Sequence, residues 1–429
     1  MSTTLAKIAY NALLPAAVGA ARVSSWFMPK VREALAGRRG FRARFEAATE
    51  ILDVPPVWFH VSSVGEFEQA RPLMTALQAH NPSIPVALTF SSPSGFSFAR
   101  RKEALDGRTN LRFIDYLPVD TRSNMRLCLD ALRPRLLVLV KFDLWPNLIW
   151  ETRARDIPVV LIDATLSPSS KRLSGPGRFL YRDVYASLDK ILAISEEDAA
   201  RFLESVPGHP AVSVVGDTRF DRVVERHAAS AGTGFHYERG GGRVLIAGST
   251  WPSDEKHLLG ALHSLMASDP DLKVIIAPHE PSPGHLGPLQ DWARSRRLPS
   301  CTVKGGVPKP APRVTIIDTV GQLAEAYALA DVAYVGGGFS TGVHSVIEPA
   351  IAGLPVVFGP AHDNSFEALR LIERGAGFCA PSEKEIHDHL VPLLYDDAAR
   401  ARAGENARAY VESQLGATEK CLAAIAEYL

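Results

Sequence analysis

From Val57 onward the chain alternates short apolar runs with longer segments of helical period. The runs 57–61, 86–90, 136–140, 159–162 and 191–194 read as buried strands, and 67–79, 122–132 and 196–203 as helices between them. Such alternation predicts a parallel sheet covered by helices on both faces. The rhythm pauses over the glycine- and charge-rich residues 228–242, then restarts with apolar runs at 244–247, 274–277, 314–317, 332–335 and 356–358. The expectation is an α/β chain of two Rossmann-like domains, residues 46–225 and 240–415, divided where turn formers replace the periodic pattern. A last helix over 416–429 is expected to fold back onto the first domain. Open sheets of this kind bind ligands outside the carboxyl ends of their strands, so two facing domains place the chemistry in a shared cleft.

Length agrees with the pattern. The 429 residues exceed what one hydrophobic core usually spans, roughly 250–300 residues. Net charge is zero, which gives no pointer to nucleic acid, but its distribution is uneven. Arg22, Lys30, Arg32, Arg38, Arg39, Arg42 and Arg44 form a basic collar opposed by Glu33. Before it runs an uncharged stretch, residues 8–21, shorter than the ~20 residues a spanning helix needs. The basic residues follow this stretch instead of leading it, unlike a signal peptide. Residues 1–45, with Trp26 and Phe27 at the junction, therefore read as a membrane-associating segment lying in the interface, or as a helix packed on the first domain with a solvated basic face. Cys128, Cys301, Cys379 and Cys421 are far apart and show no zinc spacing, which fits a reduced cytoplasmic protein.

Polar groups cluster where apolar runs end. After 57–61 comes Ser62-Ser-Val-Gly-Glu-Phe, which places Glu66 at the start of a helix. A carboxylate there either accepts the proton of an acceptor hydroxyl or serves as a first-turn residue favoured by the helix dipole. The run ending at Val335 continues as Gly336-Gly-Gly-Phe-Ser-Thr-Gly-Val-His-Ser-Val-Ile-Glu-Pro-Ala. Gly337 and Gly338 allow backbone N–H groups to approach a phosphate, a helix is expected to begin near His344, and Glu348 can accept hydrogen bonds from ribose hydroxyls. A tight turn explains a glycine run equally well. Ser249, Thr250, Pro278, His279 and the segment Asp318-Thr-Val-Gly-Gln lie at further strand ends of the second domain. Lys141 and Arg219 are candidate stabilisers of a departing phosphate, or ion-pair partners of Asp143 and Asp221. The absence of an Asp-x-Asp at a strand end gives no suggestion of a metal.

With these residues laid out, the chain resembles the Kdo (3-deoxy-D-manno-octulosonic acid) transferases over nearly its whole length. The resemblance is carried by Ser63-Val-Gly-Glu, Leu117-Pro-Val-Asp, Leu144-Trp-Pro-Asn-Leu, Gly216-Asp-Thr-Arg-Phe-Asp, Gly248-Ser-Thr, Asp318-Thr-Val-Gly, the 336–348 loop and Val357-Phe-Gly-Pro. It implies a GT-B fold, an acceptor-binding first domain and a second domain that binds CMP-Kdo as donor substrate. It further implies a lipid A precursor as acceptor, inverting transfer without metal or cofactor, and work at the cytoplasmic face of the inner membrane in lipopolysaccharide biosynthesis. By the same resemblance Glu66 is the catalytic base and Arg219 a charge stabiliser. Donor contacts fall on Pro278, His279, Val320, Gly321, Gln322, Ser345, Val346, Ile347 and Glu348, with Ser249, Thr250, Gly337, Gly338 and His344 beside them. Lys141, His279 and Ser345 depart from the commonest family pattern, as in a divergent branch. The competing expectations are a GT-B enzyme acting on another sugar nucleotide, as transferase or epimerase, and a catalytically silent binding protein.

Overall fold

The computed structural model describes residues 3–106, 110–209, 211–230, 235, 237–363 and 365–429. The chain divides into two units, residues 1–222 with 415–429, and residues 223–414. It opens with α1 (Thr3–Ser24), α2 (Pro29–Gly37) and α3 (Phe41–Ile51). There follow β1 (Val57–Val61), α4 (Val64–His80), β2 (Val86–Phe90), α5 (Pro93–Asp106), β3 (Leu111–Tyr116), α6 (Arg122–Leu132), β4 (Leu136–Val140) and α7 (Pro146–Arg153). Next come β5 (Val159–Ala164), α8 (Gly175–Ala186), β6 (Lys190–Ala193), α9 (Glu196–Ser205), β7 (Val212–Val214) and α10 (Thr218–Ser230). The unit division falls inside α10, which carries helix into the stretch read from sequence as a turn; residues 231–234 and 236 of that stretch lie outside the described residues.

The first unit's sheet has the strand order β3-β2-β1-β4-β5-β6-β7, all parallel. Strands β1, β2, β4 and β5 are buried along their whole length, which is why they read as unbroken apolar runs instead of alternating ones. Only β3 and β7, at the edges, are partly exposed over much of their length, and both escape a search for apolar runs. The N-terminal helices pack on this unit. Phe45 and Ala48 of α3 join its core, the ring of Tyr10 meets Trp150 edge-on, and the Tyr10 hydroxyl donates to Asp120 at 2.9 Å.

The second unit repeats the plan. It comprises β8 (Val244–Thr250), α11 (Pro252–Ser268), β9 (Lys273–Pro278), α12 (Pro283–Ser295), β10 (Ser300–Thr302), β11 (Val314–Ile316), α13 (Leu323–Tyr327), β12 (Val332–Val335), α14 (Ile347–Ile351), β13 (Val356–Phe358), α15 (Phe366–Glu373), β14 (Gly377–Cys379), α16 (Glu383–Tyr395) and α17 (Asp397–Ser413). Its order, β10-β11-β9-β8-β12-β13-β14, is again that of a seven-stranded parallel sheet, with its first strand one position further from the edge than in the first unit. The chain order reverses between β1 and β4, and between β8 and β12, and such switch points open a crevice at the carboxyl ends of the strands. After α17 the chain returns to the first unit as α18 (Ala417–Ile425), whose Cys421 and Ile425 are buried in the same core as Phe67 and Leu73 of α4.

Candidate active site

In the first unit Glu66 follows β1 at the switch point. It is the third residue of α4, 3% exposed, and reaches back over the N-cap Ser63. Its Oε2 accepts the amide of Ser62 at 2.5 Å, the Ser62 hydroxyl, and the amide of Ser63 at 3.1 Å. The first-turn role is thus filled, and by one oxygen alone. Oε1 takes no hydrogen bond among the described residues, so its lone pairs stay available while the serines fix the carboxylate.

Across the switch point Lys141 follows β4 with φ +62, a left-handed conformation in which a side-chain residue is uncommon. Among the described residues Lys141 does not pair with Asp143, nor Arg219 with Asp221. Asp143 faces His60 Nε2 at 2.9 Å and accepts from the Ser91 hydroxyl at 2.9 Å. Asp221 caps α18, taking the amides of Gly416 and Thr418 at 2.8 and 2.7 Å and the Thr418 hydroxyl at 2.6 Å. Arg219 pairs with Asp217, whose Oδ2 lies 2.6 Å from Nη2 and 2.8 Å from Nε. Burial works against the ionised form of Asp217, but the charges of Arg219 and then Lys141 outweigh it and hold its carboxyl below the usual range. The two cations therefore bear on one carboxylate.

Buried polar residues that the sequence reading passed over extend this edge. Trp58 Nε1 donates to Thr89 Oγ1 at 2.9 Å, and Thr89 Oγ1 lies 2.9 Å from His60 Nδ1, which continues the chain to Asp143. The available signal was a His and a Thr inside otherwise apolar runs.

In the second unit Ser249 and Thr250 end β8, and Gly336, Gly337 and Gly338 follow the neighbouring β12. Packing accounts for the glycines first. A Cβ on Gly336 would stand 2.3 Å from the Ser249 carbonyl oxygen, and one on Gly338 would stand 2.5 Å from the Gly359 nitrogen. The amides of Gly337 and Phe339 donate to Asp254 of α11 at 2.9 and 3.2 Å, so Asp254 occupies donors that sequence reading offered to a phosphate. Thr250 is likewise engaged, donating to Glu255 at 2.8 Å.

The helix expected near His344 begins at Ile347. The amides of Val343 and His344 donate to Ala361 and Gly336, which ties both residues into the glycine turn and keeps them out of α14. His344 instead enters an aromatic stack. Its ring lies 4.2 Å from that of His279 at 8° between planes, His279 lies 4.7 Å from Trp251, and Trp251 Nε1 donates to His344 Nε2 at 2.9 Å. Pro278 ends β9 immediately before His279. Ser345 is exposed and Val346 buried at the N-cap of α14. Glu348, in its first turn, pairs with Arg226 of α10 at 3.0 Å. Val320, Gly321 and Gln322 stand apart at the end of β11. Val320 is 87% exposed, and none of the three bonds to the stack or the glycine turn among the described residues. The contacts of Trp251, Asp254 and Arg226 were missed because nothing in the sequence ties them to a loop 83 to 122 residues later.

Comparison with known proteins places the chain in a family. The family described as 3-deoxy-D-manno-octulosonic-acid transferase (kdotransferase) matches residues 35–222. A 3-deoxy-D-manno-octulosonic acid transferase of Bordetella pertussis is 33% identical over 400 residues, 92% of this chain and 90% of its own length. The chain belongs to the Kdo transferase family. The Haemophilus influenzae Kdo transferase is 25% identical over 413 residues, 94% of this chain and 92% of its own. The fold is shared more widely: a UDP-GlcNAc 2-epimerase from Neisseria meningitidis, bound to UDP-GlcNAc, superposes with a TM-score of 0.64 at 15% identity, covering 87% of this chain and all of that one. Membership of the Kdo transferase family makes this chain a glycosyltransferase of GT-B type, built from two parallel α/β units.

Proposed function

We propose that this glycosyltransferase moves Kdo from CMP-Kdo to a lipid A precursor, with inversion at the anomeric carbon and without a metal. The observation that carries the reading is Glu66: a buried carboxylate at the switch point, held through Oε2 and open at Oε1, in a chain of this family. Oε1 takes the proton of the acceptor hydroxyl as that oxygen attacks the anomeric carbon, the bond to the phosphate oxygen breaks, and the electron pair leaves with CMP. Arg219 and Lys141 stabilise the departing charge. On the donor side, the Trp251–His279–His344 stack offers a planar apolar face, and Ser345 through Glu348 lie beside it.

A lipid acceptor requires work at a membrane surface. Among the described residues no helix is long and apolar enough to cross one. Leu5, Ile8, Leu13, Trp26 and Phe27 are nonetheless exposed, from 47% for Leu5 to 80% for Phe27, beside the exposed cations Arg22, Lys30, Arg32, Arg39 and Arg42. That combination supports peripheral binding to anionic lipid. Arg38 and Arg44 contribute less, since Arg38 donates to the carbonyls of Leu117 and Ser91 and Arg44 binds Asp115.

The fold shared with UDP-GlcNAc 2-epimerases keeps one alternative in view, because fold does not fix chemistry. The purified protein, incubated with a lipid A precursor in micelles and either CMP-Kdo or UDP-GlcNAc, separates the two. A gain of Kdo mass on the lipid with release of CMP supports transfer; turnover of UDP-GlcNAc with CMP-Kdo untouched refutes it.

A further inference from the structure

Behind the Arg219–Asp217 pair, at the end of β5, lies Asp163, which is fully buried. Its backbone takes φ +49, a region that costs a side-chain residue energy and persists only where the surroundings impose it. Asp163 Oδ1 accepts the amide of Thr218 at 2.9 Å, and Oδ2 lies 2.6 Å from Thr218 Oγ1. The same Oγ1 lies 2.7 Å from the backbone carbonyl oxygen of Gln69 on α4.

A threonine hydroxyl has one hydrogen, and a carbonyl oxygen can only accept. The contact with Gln69 therefore consumes the hydroxyl hydrogen of Thr218. The 2.6 Å contact to Asp163 needs a second hydrogen, and the Asp163 carboxyl is the one group placed to supply it. Thr218 is itself fully buried, so no water can substitute. Burial first, and the negative charge of Asp217 second, push the Asp163 carboxyl up to about 7, the same direction as the hydrogen count.

We propose that Asp163 is a positioning residue that is protonated in the active form of the enzyme, so that Asp217, Arg219 and Lys141 retain one net positive charge toward the anionic leaving group. The proposal rests on the reading of Arg219 and Lys141 as stabilisers of the departing phosphate. Asp217 carries a single negative charge against the two cations; an ionised Asp163 would cancel what remains. Every element packed against Asp163 leaves this balance intact. Gln69 of α4 presents a neutral carbonyl, Arg219 comes from α10, and Lys141 from the turn after β4. Cys421 of α18 faces Asp163, Asp221 and Asp217, and burial keeps its thiol well above the usual range and so neutral; the Asp221 charge is taken up by the two amides and the hydroxyl at the start of α18.

The test is Asp163→Asn beside Asp163→Ala in the full-length enzyme. Asn reproduces the protonated carboxyl, its amide N–H donating to Thr218 Oγ1 and its oxygen accepting the Thr218 amide. As pH rises through about 7 and beyond, wild-type kcat/KM for CMP-Kdo should fall roughly tenfold, as expected for loss of one nearby unit charge, while Asp163→Asn shows no such alkaline limb. Asp163→Ala should lose activity across the range. Independently of substrate, wild-type enzyme below neutral pH should show the infrared carbonyl band of a buried protonated carboxyl, absent in Asp163→Asn. An alkaline limb unchanged in Asp163→Asn, or no such band in the wild type, overturns the proposal. Should CMP-Kdo not be consumed at all, the Kdo reading fails, and the infrared band still decides the protonation of Asp163.

Discussion

The indole N–H of Trp251 donates to Nε2 of His344 at 2.9 Å, and this one bond fixes which imidazole nitrogen of His344 carries the proton. An indole can only donate, so Nε2 must accept and Nδ1 must hold the hydrogen. Gly337 makes the arrangement possible, since a Cβ there would stand 3.0 Å from the His344 ring. His344 thereby presents an N–H in a defined direction, which suits recognition of an anionic nucleotide.

Trp251→Phe should keep the stacking and lose this control. Nitrogen NMR of histidine-labelled protein should show His344 change from a single tautomer to a mixture. The donor KM should rise about fivefold, the worth of one hydrogen bond near 1 kcal/mol, with kcat little altered. The bond also bears on pH. Burial, then the proximity of His279, hold the His344 pKa below its usual value. Unfolded chains therefore take up a proton that the folded chain refuses as pH falls through the ordinary imidazole range, and stability falls with it. That fall should be smaller in Trp251→Phe, where Nε2 is free to protonate.

Asp221 is a structural group in this account, not a partner of Arg219. Asp221→Ala removes the acceptor of three hydrogen bonds at the start of α18 and should lower stability by about 2 kcal/mol in urea unfolding. The donor KM should not change.

Membrane binding should depend on the exposed junction. Trp26→Ser with Phe27→Ser should weaken sedimentation with anionic vesicles by at least about tenfold, because two side chains lose their place in the apolar layer. Binding by the wild type should weaken with salt. Arg38→Ala should chiefly destabilise the fold, since this guanidinium is tied to backbone carbonyls.

Transfer should survive chelation. Among the described residues no cluster of three His, Cys, Asp or Glu side chains is arranged to hold a metal ion. Excess EDTA should leave the initial rate of CMP release within error of the untreated enzyme; a loss restored by a divalent cation contradicts the metal-free mechanism.

How much of this was legible beforehand follows from burial. The limits of β1, β2, β4, β12 and β13 coincide with apolar runs because both faces of those strands are covered. The short strands β7, β10 and β14 are partly exposed, unlike the equally short and fully buried β13, and β3 mixes exposed and buried positions. At the site, Glu66 was visible because a carboxylate after a strand and a glycine is a local pattern. For Arg219 the sequence offered carboxylates on both sides and the fold selects Asp217, while the bearing of Lys141 on that same carboxylate joins two separated strand ends and has no local signal. Asp254, which holds the glycine turn from 83 residues away, is set by the tertiary fold alone.

The most direct test of the central claim is Glu66→Gln, assayed by lipid mass and CMP release. Glutamine can replace glutamate in this helix-start motif, so folding and CMP binding should persist while the base is lost. Transfer of Kdo should fall about 10²–10⁴-fold, the usual worth of a general base. Transfer by Glu66→Gln at the wild-type rate would contradict the account.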